Sequence, residues 1–118
     1  MANTTRIKLW YDELFKAKDQ TIECLRDEQG RCCLGVACDV YARETGDNCW
    51  EEDCGYYKFD GESDTLPEVV RKWYGFDKND PELNHDGELK PASSLNDAER
   101  LNFRQIAKCV KNTHLVGE

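Results

Sequence analysis

Hydrophobic positions near the start of the chain recur with the period of an α-helix. They lie three or four residues apart along one face, at Ile7, Trp10, Tyr11, Leu14 and Phe15. A threonine at position 4 or 5 can accept a hydrogen bond from the first free backbone amides. We therefore predict that the chain opens with an amphipathic helix.

The next segment alternates apolar and polar residues before it returns to a helical period. Ile22 and Cys24 fall on one side and Glu23 on the other, and turn residues follow from position 27 to 30. This alternation predicts a short hairpin that leads into a second helix. Gly46 follows that helix, where a left-handed residue can end it. The predicted inward face of the second helix carries Cys33, Val36, Ala37 and Val40.

Gly35 interrupts the helical pattern of this second helix. A glycine in a helix interior costs about 1 kcal/mol relative to alanine. Small residues surround it in the stretch "CCLGVAC". We therefore predict that another backbone segment or a ligand lies close against the turn of helix at Gly35.

A third helix is predicted to begin after a capping box. Thr65 lies three residues before Glu68, and Pro67 between them suits a first helical turn. The apolar positions that follow place Trp73 on the inward face, and Gly75 is the predicted end. This segment is therefore expected to be a short helix with Trp73 in the core.

The remaining segments complete the predicted fold. Residues 47–64 mix aromatics, acids and glycines, which predicts one or two short strands, and residues 76–94 are typical of a loop. Asn102 can cap a last helix while Gln105 returns the bond. We predict an α+β fold, with about four helices around a small antiparallel sheet or hairpins, as a single domain over 1–118. The last helix is expected to bury Phe103, Ile106, Ala107 and Val110.

Composition restricts the kinds of partner. The net charge of −8 opposes binding to long nucleic acid, which is held mainly by basic patches. Because salt screens charges beyond about 8 to 10 Å, a local pair of arginines can still hold a small phosphate ligand. The sequence offers neither an apolar run long enough to cross a bilayer nor a signal peptide. We therefore expect no membrane partner and a protein that stays where it is made.

Seven cysteines raise the question of a metal site or a reactive thiol. An odd number without a secretion signal argues against a disulfide framework. The pairs Cys33 with Cys38 and Cys49 with Cys54 lack the spacing of a zinc knuckle, and on a helix the first pair points in different directions. Cys32 lies at a helix start that can lower a thiol pKa, but no histidine stands in a partner motif. We expect reduced, buried cysteines and no metal.

The acidic residues form no recognisable catalytic pair, phosphate loop or metal-binding pattern, so we expect no enzyme and no cofactor. A few arginines among aromatic residues are more suggestive, since a nucleotide pocket needs stacking rings and charged donors. These residues are Arg26 and Arg31 at the predicted hairpin turn, Arg71 beside Trp73 and Tyr74, and Trp50, Tyr56 and Tyr57 in the meander.

Several motifs taken in order resemble a widespread family of small proteins encoded by tailed bacteriophages. Trp10 and Leu14 come first, and the motifs that follow are "CCLGVACDV", "LPEVVRKWYGF", "LND" and "FRQIAKCV". The resemblance extends over most of the chain. Its most specific element is the run from Cys32 to Val36.

The chain also resembles phage sponge families that sequester cyclic nucleotides of host anti-phage signalling, as do antagonists of the system called CBASS. This resemblance implies a homo-oligomer in the cytoplasm of the infected bacterial host. Its ligand would be a cyclic dinucleotide or a related small nucleotide, bound without cleavage. We expect Arg31 and Arg71 to contact phosphate and Trp50 and Tyr74 to stack. Asn96 with Asp97 would contact base edges or hold the pocket loop.

Two alternatives stay open. A protein-directed inhibitor, or an acidic decoy of a host defence enzyme, would present one contiguous negative face and have no affinity for small molecules. An enzyme that degrades the signal would need a base or a metal.

Overall fold

The computed structural model describes residues 2–116. They fold into five helices and two small antiparallel sheets. This confirms the predicted α+β class, and four of these helices span seven residues or more. In chain order the elements are α1 (Thr4–Lys16), β1 (Arg26–Asp27), α2 (Cys33–Thr45), β2 (Trp50–Asp53), β3 (Tyr56–Phe59), α3 (Glu68–Tyr74), β4 (Glu82–His85), β5 (Glu88–Pro91), α4 (Ala92–Asp97) and α5 (Phe103–His114).

The two sheets lie in different parts of the sequence. The first has the strand order β1-β3-β2, with Arg26 opposite Tyr57 and Trp50 opposite Phe59. The second is the hairpin of β4 and β5. Since paired residues point to the same face of an antiparallel sheet, Arg26, Trp50, Tyr57 and Phe59 share one face of the first sheet.

One hydrophobic core joins the helices to the first sheet. Helix α1 packs against α5 and α2, while α3 contacts α1 and α2. The largest fully buried side chains come from nearly every element and include Trp10, Leu25, Leu34, Phe59, Tyr74, Leu83, Leu95 and Ile106.

Helix α2 lies at the centre of this core. Its residues from Cys33 to Cys38 are all buried, as expected of the first part of the helix, which is uniformly apolar. A Cβ atom on Gly35 would lie 2.0 Å from the carbonyl oxygen of Leu25. The predicted close approach of a second backbone segment at Gly35 is therefore confirmed, and that segment is the chain just before β1.

The predicted ends were correct for α2 and α5 but not for α1. At α1, Asn3 is the cap and its side chain accepts from the Arg6 amide at 3.1 Å, so the predicted cap at Thr4 or Thr5 is wrong. Gly46 ends α2 in the left-handed conformation, with φ of 76°. At the start of α5, the Asn102 side chain accepts from the Gln105 amide and the Gln105 side chain accepts from the Asn102 amide, both at 2.8 Å. The predicted capping box at Asn102 is therefore confirmed.

The start and face of α3 require correction. Pro67, not Thr65, is the residue before the first turn, and it provides no side-chain hydrogen bond. Trp73 is only partly buried, whereas Tyr74 is fully buried and donates its hydroxyl proton to the Ala37 carbonyl at 2.8 Å. The predicted capping box is wrong, and the neighbouring tyrosine fills the core position expected for Trp73.

Two connections also differ from expectation. The predicted hairpin over 21–33 is reduced to the two-residue strand β1, whose ladder partner is β3, while Arg31 makes isolated bridges to Gln20 and Arg26. Residues 76–94 were predicted as a loop, but they contain the β4–β5 hairpin and the start of α4. Asp86 and Gly87 both have positive φ, which is the geometry of a tight two-residue hairpin turn.

Candidate functional site

A cavity of about 320 Å³ lies between the turn after β1 and helix α2. We refer to it as the arginine cavity. It brings together polar side chains from three separate parts of the chain. Its lining residues are Asp19, Arg26, Asp27, Glu28, Gln29, Gly30, Arg31 and Asp39.

The sequence of the turn explains how the cavity wall forms. One carboxylate oxygen of Asp27 accepts from the amides of Gln29 and Gly30, at 2.8 and 3.0 Å. A Cβ atom on Gly30 would lie 2.1 Å from the Asp19 carbonyl oxygen, so only glycine lets these backbone segments meet. The Thr21 hydroxyl donates to the other Asp27 oxygen at 2.6 Å. This hydrogen bond and the turn amides lower the pKa of Asp27, so its carboxylate stays ionised at neutral pH.

Arg31 and Trp50 meet on one carboxylate of α2. The Arg31 guanidinium lies 2.5 Å from one oxygen of Asp39, and the Trp50 indole N–H donates to the other oxygen at 2.6 Å. The Arg31 and Asp39 side chains are 21% and 31% exposed, so water still reaches this ion pair. Asp39 therefore positions a cation and an aromatic ring side by side.

Arg26 covers the two rings beside this ion pair. Its guanidinium carbon lies 4.4 Å from the centre of the Tyr57 ring and 5.3 Å from that of Trp50. Both distances are within the range of cation–π attraction. Among the side chains that the structure describes, Arg26 has no ion-pair partner. Its guanidinium thus lies on two ring faces at the edge of the arginine cavity.

The charge of the cavity lining is mixed. Four carboxylates and two guanidiniums line it, and Asp39 already pairs with Arg31. A phosphate can contact Arg26 and, if Arg31 turns away from Asp39, Arg31 as well. The carboxylates of Asp19 and Glu28 can accept hydrogen bonds from N–H donors of the same ligand. The arrangement is therefore suited to a molecule that carries both an anionic group and N–H donors.

Of the six predicted site residues, only Arg31 lines the arginine cavity, and Trp50 meets it on Asp39. Arg71 lies outside the arginine cavity, where it donates to the Phe76 carbonyl at 2.9 Å and pairs with Glu68. Tyr74 is 0% exposed, and burial raises the pKa of its hydroxyl well above the ordinary value. The expectation that Tyr74 stacks on a ligand is therefore corrected, because neither face of its ring is accessible.

Asn96 and Asp97 have a supporting position instead of a place in the cavity. The Asn96 oxygen accepts from the Cys33 amide at 3.1 Å and from the Gln20 side chain at 2.9 Å. Its amide donates to the Thr21 carbonyl and to Asp97, both at 2.8 Å. All hydrogen-bonding groups of the Asn96 side chain are thus occupied, so none is left to contact a base edge. Its bonds to Gln20 and Thr21 hold the segment that pairs with Arg31.

Three members of this site were missing from the predicted set. Arg26 and Tyr57 belong to the mixture of arginines and aromatics that the sequence displays, and the register of β1 on β3 joins them. No local sequence pattern marks Asp39 as a site residue, since an acid on an amphipathic helix is usually solvated. Its role depends on Arg31 and Trp50, which lie 8 and 11 residues away along the chain.

No cysteine is among the lining residues of this cavity, and all seven are free thiols. Burial raises the pKa of Cys32 to about 12 and that of Cys33 well above the ordinary value, so a reactive thiolate at the start of α2 is not favoured. Within residues 2–116, no group of three or more His, Cys, Asp or Glu side chains is placed to hold a metal ion.

Comparison with known proteins identifies a family but no function. The family described as Domain of unknown function (DUF8296) matches residues 5–114, and the chain therefore belongs to it. No match is found among curated proteins or among solved structures. In the described part of the chain, no helix has the length and apolar character needed to span a membrane.

Proposed function

We propose that this member of the DUF8296 family is a non-catalytic binding protein whose ligand is a small cyclic nucleotide. The observation that carries the proposal is the position of Arg26, a cation without a described ion-pair partner that lies on two aromatic rings at the arginine cavity. Arg31 lies beside it in an antiparallel bridge. A guanidinium on an aromatic surface, with a second arginine in the neighbouring bridge, is suited to a phosphate and the base next to it.

The carboxylates of the cavity favour a nucleotide over a simple anion. Asp19, Asp27 and Glu28 would repel inorganic phosphate, but the carboxylates of Asp19 and Glu28 can accept from the N–H donors on a base edge. On binding, Arg31 would leave Asp39 and pair with the ligand phosphate instead. The charge of Arg31 is then paired in both the free and the bound states. Ligand recognition would thus use both signs of charge.

In this proposal the protein acts as a stoichiometric binder and not as a catalyst. It is a tailed-phage protein in the cytoplasm of the infected bacterium, where it lowers the free concentration of a cyclic-nucleotide immune signal without cleaving it. The arginine cavity opens on the surface of one chain. A second copy that closes it would complete a homo-oligomeric site, since deep pockets of small domains commonly form at subunit interfaces.

Calorimetry with a panel of cyclic dinucleotides and trinucleotides tests this proposal. We expect at least one member to bind, and Arg26→Ala to weaken its binding at least about tenfold, because a charge-assisted contact is lost. Arg104→Ala is the matched control, since Arg104 also lies over an aromatic ring, that of Phe15, but away from the arginine cavity. Heat denaturation of the complex should release the nucleotide intact, whereas a cleavage product would indicate an enzyme.

A second candidate is an inhibitor directed at a host defence protein. Glu51 and Glu52 are exposed on β2, which lies at the edge of the first sheet, and the chain has a net charge of −8. If no panel member binds at micromolar protein, the sponge proposal fails and this candidate takes its place. An inhibitor of this kind should bind the host defence protein more weakly when salt is added. The substitution Glu51→Lys should weaken that binding as well.

A further inference from the structure

Cys109 and His85 form a thiol–imidazole pair outside the arginine cavity. The sulfur atom of Cys109 lies 3.8 Å from Nδ1 of His85. On the other side of the ring, Nε2 lies 3.6 Å from a carboxylate oxygen of Asp86. A groove of about 270 Å³ runs past all three side chains and also contacts Lys108 and Gln105.

The fold holds this pair in place through the β4–β5 hairpin. Cys109 lies on the inner face of α5, and His85 is the last residue of β4. The Thr113 hydroxyl oxygen accepts from the Asn84 amide at 2.7 Å and donates to the Cys109 carbonyl at 2.6 Å. These two bonds fix the end of β4 against the turn of α5 that carries the thiol.

The partner of Cys109 distinguishes it from the other thiols. Cys33 contacts the carbonyl of Ala92, and Cys49 contacts a carboxylate oxygen of Asp47. A carbonyl cannot remove a thiol proton at neutral pH, and a nearby carboxylate opposes formation of the thiolate. Among the contacts within residues 2–116, that of Cys109 is the one with an imidazole, which can accept a proton near pH 7.

We propose that Cys109 is a thiol modification site for small disulfides, with His85 as the base. With its own proton on Nε2, facing Asp86, His85 presents Nδ1 to accept the thiol proton. The sulfur of Cys109 attacks one sulfur of the disulfide, a new S–S bond forms, and the old S–S bond breaks. The departing thiolate takes up a proton, so Cys109 is oxidised to a mixed disulfide while the second half of the reagent is reduced to a thiol.

The charges around the pair explain why a base is needed. Burial and the Asp86 carboxylate raise the pKa of the Cys109 thiol, so little thiolate exists at neutral pH without proton transfer. Lys108 lines the groove, and Glu88 is opposite His85 in the strand register of the hairpin. This site is separate from the arginine cavity and does not depend on the proposed function.

The experiment uses the reduced full-length chain and hydroxyethyl disulfide, a small neutral reagent. Peptide mass spectrometry after an acid quench gives the rate of modification at each of the seven cysteines over a range of pH. We expect modification of Cys109 to depend on the imidazole of His85, whereas modification of the exposed Cys54 should not. His85→Gln should slow modification of Cys109 at least about tenfold near pH 7 and leave Cys54 unchanged.

Whether His85→Gln slows or speeds the modification of Cys109 distinguishes a base from a residue that only packs. If His85 only packs against α5, His85→Gln loosens the hairpin and Cys109, which is 4% exposed, reacts faster. His114→Gln is the matched control and should leave the Cys109 rate unchanged. An equal or higher Cys109 rate in His85→Gln, or no modification of the wild-type Cys109 while Cys54 reacts, would overturn the proposal.

Discussion

Asn96 shows how one buried polar side chain can organise distant parts of the chain. It is 1% exposed and makes four hydrogen bonds, which reach the start of α2 and the segment at Gln20 and Thr21. The residue before α2, Cys32, supplies no side-chain cap, so the Asn96 oxygen takes that role from another element. The amide thus couples a helix start to the wall of the arginine cavity.

Asn96→Ala is expected to destabilise the protein by about 2 to 4 kcal/mol, because a buried donor or acceptor left without a partner costs about 1 to 3 kcal/mol. Urea unfolding followed by fluorescence measures the change. Asn112→Ala, at an exposed position on α5, is the control and should fall within about 0.5 kcal/mol of the wild type. A loss below about 1 kcal/mol for Asn96→Ala would show that water replaces the amide and that the network is not structural.

At the scale of elements, α2 depends on contact with the chain before β1. The position of Gly35 against the Leu25 carbonyl leaves no room for a side chain, although the helix itself would prefer one. The Leu25 carbonyl also accepts from the Cys32 amide at 3.1 Å, just before α2 begins. The helix start and the strand are therefore built together.

Gly35→Ala should destabilise the protein by about 3 kcal/mol, because the new Cβ must displace backbone. Helix propensity alone has the opposite sign, about 1 kcal/mol in favour of alanine. Gly46→Ala serves as a comparison, since no other atoms crowd Gly46 and the cost there is about 1 kcal/mol of left-handed backbone strain. Thermal unfolding of both variants decides the matter, and an unchanged or raised Tm for Gly35→Ala would contradict the close approach.

For the whole molecule, acid stability is linked to a histidine at the end of α5. The Nε2 atom of His114 is buried and has no hydrogen-bond partner among the described residues, and the ring lies 5.5 Å from that of Phe76. Burial lowers its pKa below the ordinary 6.5. Below that pH the unfolded chain binds the proton more readily than the folded protein, so unfolding becomes more favourable.

We therefore expect stability to fall as pH drops below about 6.5, and the loss from His114 to be complete once the pH is below its lowered folded pKa. His114→Gln cannot take up this proton, so its urea midpoint should change less than that of the wild type between about pH 7 and pH 5. Asp27 acts in a lower range, because its folded pKa lies below the ordinary 3.8. Parallel pH curves for wild type and His114→Gln would contradict this role of His114.

Sequence patterns were most informative where the relevant contacts are local. The spacing of apolar residues predicted α1, and the capping box of Asn102 and Gln105 predicted the start of α5. The β4–β5 hairpin was missed although its Asp-Gly turn lies between alternating residues, a pattern that does indicate a hairpin. The face of α3 was wrong by one residue, because the period of a seven-residue helix does not separate Trp73 from Tyr74.

By itself the sequence determined the fold class, the ends of α2 and α3 at Gly46 and Gly75, the start of α5 and the close approach at Gly35. These follow from periodicity, capping and backbone conformation, which depend on residues within a turn or two of each other. The tertiary structure alone decided that Arg31 and Trp50 share Asp39, that Arg26 covers Tyr57, and that Tyr74 is buried. Sites of this kind depend on contacts such as that of Asn96 with Gln20, 76 residues apart, which no local period encodes.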